Sequence, residues 1–327
     1  MVKTASHARV ARRPVHGVVL LDKPLGLSSN QALQKVKWLL RALKAGHTGT
    51  LDPLATGVLP LCFGAATKFA QIHLDADKRY QAVMRLGVTT TTGDSEGEVV
   101  RQLGVRMSSD ELMQKLACVL PSFKGEVTQL PPMFSALKHE GKALYEYARA
   151  GIEVERKTRQ VVIHGLEVTV LDHETVEIDV TCSKGTYIRT LACDIGDALG
   201  CGAHLIGLRR VATGAVSLDQ CITIEALENM TEAERLKCLK PPECLLEGIP
   251  QVVLEECDAG RFLTGMRRVV SLPDAALVKV VGRQPDVLLG IGHIKAGELI
   301  PDRLLSPVEI QQWIEQKYNC EIGEMNE

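Results

Sequence analysis

A chain of 327 residues, 45% hydrophobic and 24% charged, has the composition of a globular protein of about two domains, which excludes a disordered or fibrous one. No apolar run approaches the ~20 residues needed to span a bilayer, and the basic stretch MVKTASHARVARRP at residues 1–14 has no apolar core behind it, so it reads as a flexible arm rather than a secretory signal. The net charge of -2 hides an asymmetry: residues 1–80 carry twelve Lys or Arg against four Asp, and the remainder is acidic, so a polyanion is drawn to the N-terminal part.

After the turn Leu21-Asp-Lys-Pro-Leu-Gly26, Ser29 or Asn30 is placed to cap a helix. Leu33, Val36, Leu40 and Leu43 form its apolar stripe, Lys35, Lys37, Arg41 and Lys44 populate the rest, and Gly46 suits its stop. The next segment, GHTGTLDPLATG at residues 46–57, sets one carboxylate, Asp52, in a glycine-bracketed, hydroxyl-rich loop with His47 five residues upstream. Glycines permit tight turns and close approach of a ligand, and Pro53 fixes the chain directly after the carboxylate. The plainer alternative is an Asp-Pro turn without chemistry. Tyr80, Ala82, Met84 and Leu86 alternate with mostly polar neighbours as in a half-buried strand, and Val176, Ile178, Val180 and Cys182 repeat the pattern. Between them, residues 124–156 read as a charged surface hairpin whose entry is stiffened by Pro131 and Pro132. Beyond Ser183-Lys184-Gly185, Leu191, Ile195 and Leu199 mark a helix stopped at Gly200.

The glycine-rich loop lacks a G-x-G-x-x-G spacing, which favours antiparallel pairing over a doubly wound sheet. LKPPECLLEGIP at residues 239–250 reads as a boundary, followed by short strands with frequent turn residues. The expected fold is therefore α+β: a mixed, largely antiparallel sheet with flanking helices over residues 16–249, a small β-barrel over 250–310, a basic arm at 1–15 and a tail at 311–327. Ten cysteines run from Cys62 to Cys320 without a C-x-x-C pair, and His47 has no Cys or His at ligand spacing. No metal is expected, and free thiols in that number fit a reducing cytoplasm.

The run GHTGTLDPLATGVLPLCFGAATK at residues 46–68 closely resembles the catalytic motif of the TruB family of tRNA pseudouridine synthases. Leu21-Asp-Lys-Pro-Leu-Gly-Leu-Ser-Ser29 resembles the family's first motif, Lys78-Arg-Tyr80 its tyrosine motif, Gly185-Thr-Tyr-Ile-Arg-Thr190 its third, and Leu208-Arg-Arg-Val-Ala-Thr-Gly214 its leucine motif, all in the family's order. Residues 263–305, with Leu289-Gly-Ile-Gly-His-Ile294, resemble a PUA domain, a compact RNA-binding barrel. The stretch from Gln129 to Arg156 resembles the insertion that closes over the RNA loop in stand-alone bacterial members, and Lys138, Lys142, Arg149, Arg156, Lys157 and Arg159 would offer it phosphate contacts.

The resemblance implies isomerisation of uridine-55 in the tRNA T loop, by a cytoplasmic monomer needing no metal, organic cofactor or guide RNA. Asp52 would be the nucleophile, Arg189 its ion-pair partner, and Tyr80 a ring stacked on the base whose hydroxyl serves proton transfer. Tyr187 would border the uracil, Leu208 would wall the pocket, and His47 would fill the stack vacated by the flipped nucleotide. One carboxylate suffices because uracil itself, rather than water, recaptures the sugar. It would act by attack on the sugar with loss of a C2′ proton or by another route, and Asp22 is the nearest second carboxylate to approach it in space. A guide-RNA-dependent synthase, or an RNA-binding or tRNA-folding module with a dispensable site, are the alternatives.

Overall fold

The structure is a computed structural model in which residues 11–283 and 286–324 are described. Strand Lys78–Leu86 shows how pattern becomes packing: Tyr80, Ala82, Met84 and Leu86 are buried while Arg79, Gln81 and Arg85 face outward. On that outer face Arg79 and Arg85 reach across the ladder to Asp179 and Glu174 of the neighbouring chain segment. Strand Thr175–Cys182 pairs with it antiparallel and buries Val176, Ile178, Val180 and Cys182 on the same side. Removing such a side chain from water stabilises the fold by about 1.5–3 kcal/mol.

Across the large sheet the order is Ile222–Thr223, Gly17–Lys23, Ala55–Phe63, Ala203–Thr213, Lys78–Leu86, Thr175–Cys182, Arg159–Val170 and Gly125–Gln129. Two of its ladders are parallel, Gly17–Lys23 with Ile222–Thr223 and Ala55–Phe63 with Ala203–Thr213. The others are antiparallel, as expected from the sequence. Helix Ile188–Ala198 buries Leu191 and Ile195 against the sheet and ends at Leu199, with Gly200 in the left-handed region at φ 82°.

The first helix departs from its expected ends. Ser28, not Ser29 or Asn30, caps Ser29–Leu39: its side chain accepts from Gln31 N while Gln31 reaches back to Ser28 N. Ser29 is withdrawn from capping because it is buried under the Asp52 loop. At the other end Arg41 turns the chain at φ 52°, five residues before Gly46, leaving Leu43 exposed rather than on the apolar stripe.

The second sheet has the order Gln251–Leu254, Ala275–Arg283, Asp286–Lys295, Glu298–Leu304 and Arg268–Val269. Register shifts in its central ladders mark bulges that curl it, and its first and last strands do not pair with each other, so it is a half-open barrel. Its core of Val278, Val280, Leu288 and Phe262 also takes in Ala65 and Phe69 from the large sheet's side, joining the two bodies through apolar contact.

Both chain ends are tied down further than the sequence suggests. Arg13 exchanges backbone bonds with Arg41 and Leu43 and pairs with Glu232, and Val15 is buried; residues 1–10 of the basic arm lie outside the described residues. The region after residue 310 continues a helix, Pro307–Glu324, rather than a tail. Glu309 pairs with Lys68 at 2.6 Å, and His16 bonds Gln312 and Gln316. Ala65 N donates to His16 Nδ1, so Nε2 carries the ring proton and donates to Gln312. Among the described residues no helix is long and apolar enough to cross a membrane.

Gly57 decides how closely strands Ala55–Phe63 and Ala203–Thr213 approach. Its φ is 102°, and a Cβ there would lie 2.1 Å from Arg210 O. Gly57→Ala is therefore expected to cost at least about 3 kcal/mol, since it adds a forbidden backbone conformation to a backbone clash. Denaturant melts of the two proteins check this.

Candidate active site

The Asp52 loop is clamped from several directions. Leu51 N donates to Ser29 Oγ at 2.7 Å, and the same hydroxyl donates back to Leu51 O. Gly26 N donates to Pro53 O, Thr48 N to Pro60 O and Ala55 N to Asp52 O. Beneath it, buried His73 places Nδ1 3.0 Å from Thr48 Oγ1. Burial, reinforced by the neighbouring Lys78 and Arg210 charges, lowers the His73 pKa to about 4. Because the folded value lies below the unfolded one, the unfolded chain takes up the proton first as pH falls through about 6.5. Stability should drop by about 2 kcal/mol between pH 7 and pH 5 from this group. Thermal melts at both pH values, compared with His73→Asn, test it: the variant should lose part of the acid sensitivity.

Arg189, second residue of helix Ile188–Ala198, is 5% exposed and organises the carboxylate. Its Nη2 lies 2.9 Å from Asp52 Oδ2 and also donates to Phe134 O, while Nη1 donates to Thr92 O and Nε faces Asp94. Asp94 is itself buried and accepts from Thr92 Oγ1 and Glu96 N. One guanidinium thus serves two carboxylates and two carbonyls, which fixes its plane. Asp52 Oδ1 takes no hydrogen bond from a described residue. Burial raises the Asp52 pKa above the ordinary carboxylate range, the Arg189 charge opposes that rise, and Asp94 adds to it.

Asp52, Tyr80, Tyr187, Arg189 and Leu208 line one cavity of about 360 Å³, together with Gly49, Lys78, Ser135, Leu137 and Arg210. Strand pairing explains part of the convergence: Arg210 stands opposite Tyr80, and Leu208 opposite both Ala82 and Ala55. The Tyr187 backbone is held by buried Gln129, which donates to its carbonyl and accepts from its amide. Arg159 sits 5.3 Å from the Tyr187 ring centroid. Burial pushes the Tyr80 phenol pKa up, and the Arg210 charge works against that.

His47 does not line the cavity. It is half-buried on strand Ala45–His47, two residues before Gly49, which does. Its Nδ1 is enclosed without a side-chain partner among the described residues, and burial lowers its pKa while the Gly49 backbone opposes that. Asp22 does not approach Asp52: it pairs with Arg209 at 2.7 Å, because alternation along the leucine motif turns Arg209 away from the cavity wall that Leu208 and Arg210 form. Of the insertion's basic residues, Arg156 is spent on Pro131 O, Arg159 on Gly185 O and Tyr187, and Arg149 lies over Tyr145. Lys138, Lys142 and Lys157 remain exposed.

Sequence reading missed Asp94, Lys23, Arg210 and Gln129. A signal for Asp94 exists: Thr89-Thr-Thr-Thr-Gly-Asp94 sets a carboxylate behind hydroxyls and a glycine, as the Asp52 loop does. Lys23 is fully buried, donates to Pro24 O and Leu27 O, and has its pKa lowered by burial to about 8, with Asp52 opposing.

A TruB family pseudouridylate synthase N-terminal domain model matches residues 37–188, a tRNA pseudouridylate synthase B C-terminal domain model residues 189–247, and a pseudouridine synthase II TruB C-terminal model residues 250–305. The chain belongs to the TruB family. It is 58% identical over 98% of both chains to a tRNA pseudouridine synthase B of Verminephrobacter eiseniae, and 53% identical to one of Cupriavidus metallidurans over 91% of this chain and 96% of that one. Among solved structures it resembles a Cbf5-Nop10-Gar1 complex chain, with a TM-score of 0.67, 26% identity and coverage of 90% and 86%. It also resembles a chain of an H/ACA RNP bound to a substrate RNA containing 2′-deoxyuridine, with a TM-score of 0.66, 25% identity and coverage of 89% and 86%. In this TruB chain the boundary between the first two family segments falls between Ile188 and Arg189, so the Asp52–Arg189 pair joins them.

Proposed function

We propose that the protein converts uridine to pseudouridine in tRNA, at uridine-55 of the T loop, as a stand-alone cytoplasmic enzyme with Asp52 as nucleophile. The observation that carries the reading is the Asp52–Arg189 pair at 2.9 Å in the cavity wall, which fixes one carboxylate oxygen and leaves the other without a hydrogen bond from a described residue. The target uridine is extruded from the RNA at a cost of a few kcal/mol, with His47, two residues before the cavity-lining Gly49, filling the gap. Its uracil lies between the Tyr80 ring and Leu208, beside Tyr187.

Asp52 Oδ1 attacks C1′, and the N1–C1′ bond breaks with its electron pair passing to uracil. The base turns within the cavity and C5 bonds to C1′ as the Asp52–C1′ bond breaks. The C5 proton then leaves, restoring the C5–C6 double bond, and N1 is protonated. Tyr80 is the group placed to take the C5 proton.

Two readings compete with this one. Guide-RNA-dependent synthesis is the first, but the insertion at 124–156 supports independence, since Phe134 O accepts from Arg189 and Gln129 holds Tyr187. We assign residues 16–249 to catalysis and 250–310 to binding a distant part of the tRNA; a purely RNA-binding protein would not need a buried Arg189 shared between Asp52 and Asp94. The test is to incubate unmodified tRNA with pure protein and no guide RNA, then map pseudouridine. Modification confined to position 55 is the expected result, and absence of pseudouridine without added guide overturns it.

A further inference from the structure

Arg210 is 1% exposed, lines the cavity and has no carboxylate partner among the described residues, so a full positive charge is buried without an ion pair. That arrangement is costly unless the charge is used. Its Nε donates to Val58 O at 2.7 Å, Nη1 lies 3.3 Å from where a Cβ on Gly49 would stand, and Nη2 is enclosed with no acceptor among the described residues. Gly57, with no room for a Cβ against Arg210 O, lets the neighbouring strand close on this residue. Opposite Arg210 in the ladder stands Tyr80, also buried and also in the cavity wall.

We propose that Arg210 is a positioning residue for Tyr80: its buried guanidinium holds the phenol oxygen at the cavity and stabilises negative charge there when Tyr80 takes the C5 proton. The idea rests on the pseudouridine synthase reading. The phenol first releases its proton to solvent. The C5–H bond of the rejoined base then breaks, its electron pair restores the C5–C6 double bond, and the proton passes to the Tyr80 oxygen. Other charged or titratable groups facing Tyr80 are Asp52 from the loop and Cys182 from the adjacent strand, and both disfavour the phenolate. Lys78, in the same cavity wall, has its ammonium committed to Leu74 O and Ala76 O. Arg210 is thus the cation placed to favour it.

The test is a double-mutant cycle in single-turnover reactions on a T-arm hairpin, using the full chain, with Arg210→Lys, Tyr80→Phe and the double variant. Arg210→Lys should slow the reaction about 10-fold at pH 7, with hairpin Kd within 3-fold, and should cost less than 2-fold once Tyr80 is Phe. Arg210→Gln, which removes the charge altogether, should displace the rise of rate with pH to higher pH by about one unit, whereas Arg210→Lys should restore part of that displacement. Should Arg210→Gln fail to fold, the lysine variant carries the cycle. An equal loss in both Tyr80 backgrounds overturns the proposal. So does a raised Kd with an unchanged single-turnover rate, the result for a residue that holds a backbone phosphate. Failure of the underlying reading is separate: wild-type protein would then form no pseudouridine in the hairpin at all.

Discussion

Asp52→Asn is expected to lower single-turnover pseudouridine formation by on the order of 10⁴-fold or more while leaving tRNA binding within a few-fold. The amide keeps the size of the side chain and offers an oxygen to Arg189, but it cannot open a glycosidic bond. Stability should not fall with it. Burial raises the Asp52 pKa, so the ionised carboxylate opposes folding. A group with a raised folded value contributes stability only below its unfolded pKa and loses it as pH rises through the folded one. At pH 7 the neutral Asn variant should therefore melt at or above the wild-type temperature. Rapid-quench kinetics, filter binding and a thermal melt on one preparation separate the possibilities. Retained turnover removes Asp52 from the mechanism, and a lost fold would mean that the charge is structural.

The N-terminal part of the chain was legible where one strand or loop carried its own signal. Alternation along Lys78–Leu86 and Thr175–Cys182 fixed both strands because one face is buried and the other carries Arg79, Arg85 and Asp179. The motifs placed five of six site residues around one cavity. What remained hidden depends on contacts between distant segments. Ser29 looked like a helix cap, yet its hydroxyl is used 22 residues away on Leu51. Asp22 looked like a second carboxylate, and Arg209 claims it. The chain after residue 310 looked like a tail, because a helix docked through Gln312, Gln316 and Glu309 needs no strong local pattern. Packing also bears on how the role assigned to residues 250–310 is tested: Phe69 is fully buried against the C-terminal core. Truncation after Ile249 would uncover it, so substituting exposed basic residues such as Arg267 or Arg303 separates tRNA contact from buttressing more cleanly.

Asp94→Asn should have the second largest effect, about a 100-fold fall in the single-turnover plateau, and its pH profile should move in a direction that identifies the cause. Asp94 does two opposing things to Asp52. As a negative charge it adds to the rise in the Asp52 pKa, and removing it lets Asp52 stay ionised to lower pH. As the partner of Arg189 Nε at 3.5 Å, held in turn by Thr92 Oγ1 and Glu96 N, it fixes the guanidinium that orients Asp52. Asn keeps the carbonyl oxygen but loses half the charge pairing of a buried arginine, so Arg189 is drawn wholly to Asp52 and the free oxygen is re-aimed. Small misplacements of a reacting atom are costly, of order 10²-fold for about 1 Å. The expected profile therefore has its acid limb at lower pH than wild type and a lower plateau. An acid limb moved to higher pH would mean that Asp94 acts on Asp52 in the opposite electrostatic sense. An unchanged plateau would mean that Thr92 O and Phe134 O alone hold Arg189, leaving Asp94 as a partner for the charge and not for the geometry.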